Sequence, residues 1–231
     1  MVKVETRWRV YEHAAALIDA TVADIRDAAA AAIARSGEFH VVLAGGSTPR
    51  EVYRRLRDLA TDWSAWRIYF GDERCLPPGD ADRNSRMAAT AWLSHVPVPP
   101  ACVHEIPAER GAEVAAEAYR QTLLGTGTFD LVLLGLGEDG HTASLFPGHP
   151  LEAAPGSPDV IAVHDAPKPP PDRVSLTASR LSRARRVLFL VTGAGKRAAV
   201  AAWRSGAALP AAAVHPDGGA EVLVERVCLE P

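Results

Sequence analysis

Apolar residues follow two patterns along the chain. In the longer segments they recur every three to four residues, as on one face of a helix, and in the shorter segments they form continuous runs typical of buried strands. The first pattern predicts helices at residues 12–35, 50–59, 84–93, 108–124 and 196–203. The second predicts strands at residues 39–43, 67–70, 131–134, 160–163, 173–176, 187–191 and 221–229. Gly37 is expected to end the first helix.

Helices separate most of these strands, and the strands lack polar alternation. Strands of this kind are buried on both faces and pair in parallel, with helices above and below. We therefore predict an α/β fold with a mostly parallel sheet, helices on both faces, and a single domain over residues 1–231. The proline-rich segment 147–171 lies between two strands, and we interpret it as a wall of the active site.

Composition and charge indicate which partners and which cellular location to expect for the protein. The 231 residues carry 25 Lys and Arg against 28 Asp and Glu, a net charge of -3, which does not favour nucleic acid. No apolar run reaches the roughly 18–20 residues of a membrane span, and residues 1–8 do not form a secretory signal. The three cysteines are scattered, as is typical of reduced thiols. We expect a cytoplasmic protein, either a monomer or a small homo-oligomer.

Residues 129–147 carry the clearest indication of chemistry. A strand-length apolar run ends in a turn with Gly135, Gly137 and Gly140, and His141 follows directly. In open α/β sheets, ligands bind at the carboxyl ends of strands, and a histidine there can exchange a proton near neutral pH. The alternative is a histidine that only caps the turn by hydrogen bonding.

The glycines of this turn match G-x-G-x-x-G, the pattern of dinucleotide-binding folds. That fold needs a long helix directly after the pattern, whereas Pro147 and Pro150 leave room for only one or two helical turns. We therefore expect the glycines to let the backbone fold closely around a substrate.

Two further turns indicate an anion site. Gly45, Gly46, Ser47 and Thr48 join a strand to a helix, and the free N–H groups and dipole of a helix N-terminus bind phosphate. A capped helix without a ligand is the alternative. The turn that ends at Lys196 lacks the residues of a nucleotide P-loop, but its lysine can contact a phosphate as a point charge.

A charged segment, Asp72 to Arg74, follows the strand at 67–70. Arg74 has the fork geometry that binds anionic oxygens, and Asp72 can orient a sugar hydroxyl or the histidine. We disfavour the adjacent Cys75 as a nucleophile, because nothing near it in sequence lowers the pKa of a thiol.

In their order, these motifs resemble those of the 6-phosphogluconolactonase family. The matching segments are Leu43–Pro49, Phe70–Arg74, Asp130–Pro147, Lys168–Thr177 and Val191–Lys196. The resemblance implies a modified Rossmann-like sandwich, similar to glucosamine-6-phosphate deaminase and ribose-5-phosphate isomerase. It also implies hydrolysis of 6-phospho-D-glucono-1,5-lactone to 6-phosphogluconate, the second step of the oxidative pentose phosphate pathway, without metal or cofactor.

Within this resemblance, His141 corresponds to the proposed base, with Asp139 or its neighbour Glu138 holding the imidazole. Arg74 and Lys196 correspond to residues thought to contact the anionic ligand. The substrate-binding set that we predict is Gly45, Gly46, Ser47, Thr48, Asp72, Arg74 and Lys196, and the catalytic set is His141, Arg74 and Asp139.

Two alternative functions and two rival histidines remain open, and the chain departs from the family pattern at one position. A glucosamine-6-phosphate deaminase shares related turns, and a non-catalytic sugar-phosphate sensor is a second alternative. His149 and His164 are the rivals of His141 for the role of base. Where the family commonly has a small residue before Asn84, this chain has Arg83.

Overall fold

The computed structural model describes residues 6–230. Its strands are β1 (Arg7–Tyr11), β2 (Phe39–Leu43), β3 (Trp66–Phe70), β4 (Asp72–Arg74), β5 (Val103–His104), β6 (Phe129–Gly135), β7 (Val160–Val163), β8 (Arg173–Leu176), β9 (Ala184–Val191) and β10 (Glu221–Glu225). Its α-helices are α1 (Ala14–Ser36), α2 (Ser47–Leu56), α3 (Asn84–Ala91), α4 (Ala112–Thr122), α5 (Ala178–Ser182) and α6 (Arg197–Arg204).

Seven strands form one sheet in the order β1-β10-β9-β6-β2-β3-β5, and every adjacent pair is parallel. All residues of 129–134 are buried, so both faces of the sheet are covered at its centre. Helix α1 packs against β2, β6 and β10. The predicted α/β fold with a mostly parallel sheet is confirmed.

The order of the strands places a crevice at the middle of this sheet. From β2 the chain proceeds to β3 and β5 on one side, whereas from β6 it proceeds to β9 and β10 on the other. The loops that follow β2 and β6 therefore leave in opposite directions, and ligands bind at such a switch point.

A second sheet closes one side of the crevice. Strands β4, β8 and β7 pair in antiparallel fashion, and α4 packs against β7 and β8. The strands predicted at 160–163 and 173–176 exist, and they lie in this antiparallel sheet, outside the parallel one. Val174 and Leu176 belong to the same buried cluster as the large sheet.

The ends of several elements differ from the predictions. The predicted helix at 108–124 is a 3-10 turn at Ala108–Arg110 followed by α4, and the last strand ends at Glu225 instead of 229. Helix α1 ends where expected, because Gly37 has φ 81° and donates its N–H to Ile33 O. The expectation for residues 1–8 falls mostly on residues 1–5, which lie outside the described part.

Strands β1, β4 and β5 and helix α5 were not predicted. β1 lies at an edge of the sheet beside β10, and its exposed and half-buried positions give no continuous apolar run. β4 is polar, with only three residues, and its partner β8 is about a hundred positions away in sequence.

Candidate active site

A cavity of about 360 Å³ opens at the crevice between β2 and β6. The turns after β2, β3, β6 and β9 all contribute to its lining. Eight of the nine predicted site residues line it, namely Gly45, Gly46, Ser47, Thr48, Asp72, Arg74, His141 and Lys196. Asp139, the ninth, lies against the ring of His141.

His141 is held in place by the glycine turn that precedes it. Gly137 N donates to His141 O (2.7 Å) and Gly140 N to Gly137 O (3.1 Å), which closes the turn. A Cβ on Gly137 would lie 2.0 Å from His141 Nδ1, so only glycine allows the ring to approach this closely. Phe146 packs against the other side of the imidazole, with 4.8 Å between ring centroids.

The imidazole has one nitrogen engaged by a carboxylate. His141 Nδ1 lies 2.5 Å from Asp139 Oδ1, which also accepts the His141 main-chain N–H at 3.2 Å. With Nδ1 as the donor, Nε2 is the nitrogen left to accept a proton. Of the two orienting carboxylates considered, Asp139 makes this contact, while Glu138 lies beside Gly195.

The surroundings favour the neutral form of His141. Burial lowers the pKa of His141 and outweighs the hydrogen bond and charge of Asp139, which act to raise it. Burial acts to raise the pKa of Asp139, but the hydrogen bonds from His141 outweigh it and leave that pKa below its ordinary value. The result is a neutral imidazole next to an ionised carboxylate at neutral pH, the arrangement of a general base.

The N-terminus of α2 also lines the cavity. Gly46, at φ 107°, precedes the first helical residue, Ser47, and no side chain caps the helix. Pro49 is therefore the third helical residue, and the expected start of the helix beyond Pro49 is wrong. Thr48 Oγ1 is hydrogen-bonded to Thr192 Oγ1 at 2.6 Å, which joins this turn to the one that carries Lys196. Uncapped N–H groups and a helix dipole directed at a cavity favour a bound anion.

Asp72 and Arg74 form a further part of the cavity wall. Asp72 is 6% exposed and accepts hydrogen bonds from Asn84 Nδ2 (2.9 Å) and Ser144 Oγ (2.7 Å). Arg74 donates through Nη1 to Asp82 O, and its buried Nε has no hydrogen-bond partner among residues 6–230. Asn84 also packs so closely on Gly45 that a Cβ there would lie 2.1 Å from Asn84 Oδ1.

The lining residues absent from the predicted set include Asn84, Lys168 and Arg173. Arg173 donates to the carbonyls of Lys168 (2.8 Å) and Pro170 (3.1 Å), and it thereby shapes the proline-rich wall. The charge of Lys168 acts to lower the pKa of His141, so this cation lies near the imidazole. The Lys-Pro-Pro-Pro run was the available signal, because a lysine before consecutive prolines lies on a rigid segment.

The remaining candidates lie outside the cavity. His149 packs its ring edge against Phe146, and His164 pairs with Asp172 and Glu113 at the surface. Burial raises the pKa of the Cys75 thiol to about 11, which disfavours it as a nucleophile. Within residues 6–230, no three His, Cys, Asp or Glu side chains come together as metal ligands.

Comparison with known proteins places this geometry in a family. Residues 12–223 match the family of glucosamine-6-phosphate isomerases/6-phosphogluconolactonase. The 6-phosphogluconolactonase of Mycobacterium leprae is 39% identical over 204 residues, which are 81% of this chain and 80% of that protein.

Solved structures agree with this match. A 6-phosphogluconolactonase from Thermotoga maritima superposes with a TM-score of 0.87 at 29% identity, over 96% of this chain and 100% of the other. A monomeric glucosamine-6-phosphate deaminase has the same fold, with a TM-score of 0.82 at 20% identity over 96% and 98% of the two chains.

The fold and the cavity thus define an α/β enzyme with its site at the switch point of a parallel sheet. The chain belongs to the glucosamine-6-phosphate isomerase/6-phosphogluconolactonase family. The predicted family, and the prediction of an enzyme of the 6-phosphogluconolactonase type, are confirmed by these comparisons.

Proposed function

We propose that the protein hydrolyses 6-phospho-D-glucono-1,5-lactone to 6-phosphogluconate, with His141 as the general base. The observation that carries the proposal is that a carboxylate-bound imidazole and an uncapped helix N-terminus line the same cavity. A phosphorylated lactone needs both features, an anion site for its phosphate and a base for its ester carbonyl.

The phosphate binds at the start of α2. Its negative charge is stabilised by the main-chain N–H groups of Ser47 and Thr48, by the helix dipole, and by Lys196 across the Thr48–Thr192 contact. Binding energy from this group, remote from the reacting bond, holds the lactone carbonyl near His141.

In the chemical step, His141 Nε2 takes a proton from water as the water oxygen bonds to the lactone carbonyl carbon. The carbonyl oxygen becomes an oxyanion. When the tetrahedral intermediate collapses, the bond to the ring oxygen breaks and His141 returns its proton to that oxygen. General-base assistance of this kind typically contributes about 100- to 10,000-fold.

The cations Arg74 and Lys168 are the groups that we assign to the oxyanion. Main-chain N–H groups of the turn 135–140 are the alternative, but those of Gly137 and Gly140 are donated within the turn itself. A preorganised positive charge next to the carbonyl stabilises the developing oxyanion. Asp72, held by Asn84 and Ser144, is assigned to a sugar hydroxyl.

The test is an assay of the unmodified protein on freshly prepared lactone, corrected for spontaneous ring opening. We expect turnover with release of acid and no release of ammonia from glucosamine-6-phosphate. Ammonia release would instead indicate the deaminase. Binding of 6-phosphogluconate without any hydrolysis of the lactone would indicate a sugar-phosphate sensor.

The cellular setting is part of the same proposal. None of the helices in residues 6–230 is long and apolar enough to cross a membrane. A cytoplasmic location, the lack of a nucleic-acid partner, and a monomer or small homo-oligomer remain predictions.

A further inference from the structure

Arg83 is one of the most deeply buried charged residues of the described chain, and it lies behind the wall of the cavity. It is 2% exposed, and two of its nitrogens have hydrogen bonds of 2.8 Å, Nη1 to Glu109 Oε2 and Nη2 to Ile106 O. Its Nε lies 3.4 Å from Glu73 Oε2, an ion pair without a hydrogen bond. An arginine is enclosed in this way only when it is paired.

Glu73, the inner partner of Arg83, connects two elements of the site. Its side chain is fully buried. Oε1 accepts the main-chain N–H groups of Arg74 (2.9 Å) and Asn84 (2.7 Å), and Oε2 accepts that of Ser85 (2.8 Å). One carboxylate thus holds the end of β4 and the N-terminus of α3 together, a position where a negative charge stabilises the helix.

Of the three residues that donate to Glu73, two line the cavity, namely Arg74 and Asn84. Arg74 is the cation that we assign to the oxyanion. Asn84 donates to the main-chain and side-chain oxygens of Asp72, at 3.0 and 2.9 Å. Arg83 itself does not line the cavity, so its side chain acts on the substrate indirectly, and the ion pair with Glu73 links it to Arg74 and Asn84.

We propose that Arg83 is a positioning residue for the lactonase reaction, which balances the buried carboxylate of Glu73 and so fixes Arg74 and Asp72 at the wall of the site. The inference rests on the proposed function. Removing one partner of a buried ion pair leaves an uncompensated charge, and the surroundings of Glu73 must then shift or admit water. Either change loosens β4 against α3.

The expected loss lies in the chemical step. Misplacing a catalytic contact by about 1 Å can reduce the rate by about 100-fold. In the phosphate-binding turn 45–48, Asn84 packs on Gly45, whereas Gly46 and the Thr48–Thr192 contact are held without Arg83. Because Arg74 is assigned to the oxyanion, we expect kcat to fall by a larger factor than KM or the affinity for 6-phosphogluconate changes.

The test compares Arg83→Met, Arg83→Lys and Glu109→Gln. Glu109→Gln is the matched control, because it removes the charge of the partly exposed outer partner and leaves the contact with Glu73. We expect Arg83→Met to lower kcat by about tenfold or more with KM within about twofold. Arg83→Lys keeps the positive charge but lacks the forked guanidinium group. Its kcat is therefore expected to lie between those of Arg83→Met and the unmodified protein. Glu109→Gln is expected to keep kcat.

Thermal unfolding of each variant separates positioning from folding. A purely structural role would lower the unfolding temperature and leave the kcat of the folded protein unchanged. Should Arg83→Met not fold, Arg83→Lys decides, and a kcat equal to that of the unmodified protein would overturn the inference. A fall in kcat that is matched by loss of 6-phosphogluconate binding would also overturn it. An unmodified protein without lactonase activity overturns the proposed function and this inference together, whereas an active protein with an unaffected Arg83→Met overturns this inference alone.

Discussion

At the residue scale, the site depends on how three charges act on one imidazole. Burial lowers the pKa of His141, Asp139 and the more distant Asp72 act to raise it, and Lys168 acts to lower it. Burial outweighs the carboxylates, so the pKa of His141 lies below its ordinary value near 6.5. A base with this property is neutral and ready to accept a proton at neutral pH.

The pH dependence of kcat/KM follows from this direction. If His141 is the general base, activity requires its neutral form, so kcat/KM is expected to fall as the pH drops through a pKa below about 6.5. In Asp139→Asn, a group that raises this pKa is removed, so the acid limb moves to still lower pH. The plateau also falls, because Asn no longer fixes the tautomer. Rates measured between about pH 5 and pH 8 show both effects, and an acid limb that moves to higher pH in Asp139→Asn would contradict the assignment.

Residues of the site differ in how far the sequence could identify them. His141 and the turn 45–48 were found because each directly follows its strand, so local order alone places them at the edge of the sheet. Lys168 and Arg173 were missed because the proline-rich segment and strand β8 of the second sheet bring them to the cavity. Arg83 was recognised as unusual, but only the structure shows that its partners are Glu73 and Glu109.

At the element scale, helix ends position most of the chemistry. The start of α2 is the proposed anion site, the start of α3 is bound by Glu73, and the turn after β6 presents His141. Apolar periodicity predicted α2 and α3 but placed the start of α2 too late. Gly46 has no side chain that could cap the helix, and Pro49 is the third helical residue instead of the first, so the start of α2 lacks the usual capping pattern.

The end of α1 allows a prediction about stability at this scale. Gly37 has φ 81°, and no atom lies within 4 Å of the position that a Cβ would take there, so Gly37→Ala meets backbone strain and no steric clash. We expect it to reduce the free energy of unfolding by about 1 kcal/mol. Urea unfolding measures this loss, and lactonase activity is expected to stay unchanged.

Gly79→Ala is the matched control for that experiment. Gly79 also has open space around its Cβ position but lacks a positive φ, so its substitution is expected to be nearly neutral. An equal fall in the free energy of unfolding for both variants would show that the left-handed backbone conformation at Gly37 adds no free-energy cost of its own.

At the scale of the whole molecule, the strand order creates the site. Because the chain leaves β2 and β6 in opposite directions, their two glycine turns diverge and leave a cavity between them. Alternation of strands and helices was enough to predict the parallel sheet. It could not predict that β1 pairs with β10, near the other end of the chain, or that β4, β7 and β8 form a separate antiparallel sheet, because both depend on contacts between distant segments.

The central claim is that His141 performs the chemistry while a separate part of the cavity binds the phosphate. The most direct measurement compares lactone turnover and 6-phosphogluconate binding in His141→Ala, with His149→Ala as the control histidine outside the cavity. With His141 as the general base, turnover of His141→Ala is expected to fall at least about tenfold. Its ligand binding is expected to stay nearly intact, and His149→Ala is expected to keep both turnover and binding. Unchanged turnover in His141→Ala would contradict the central claim.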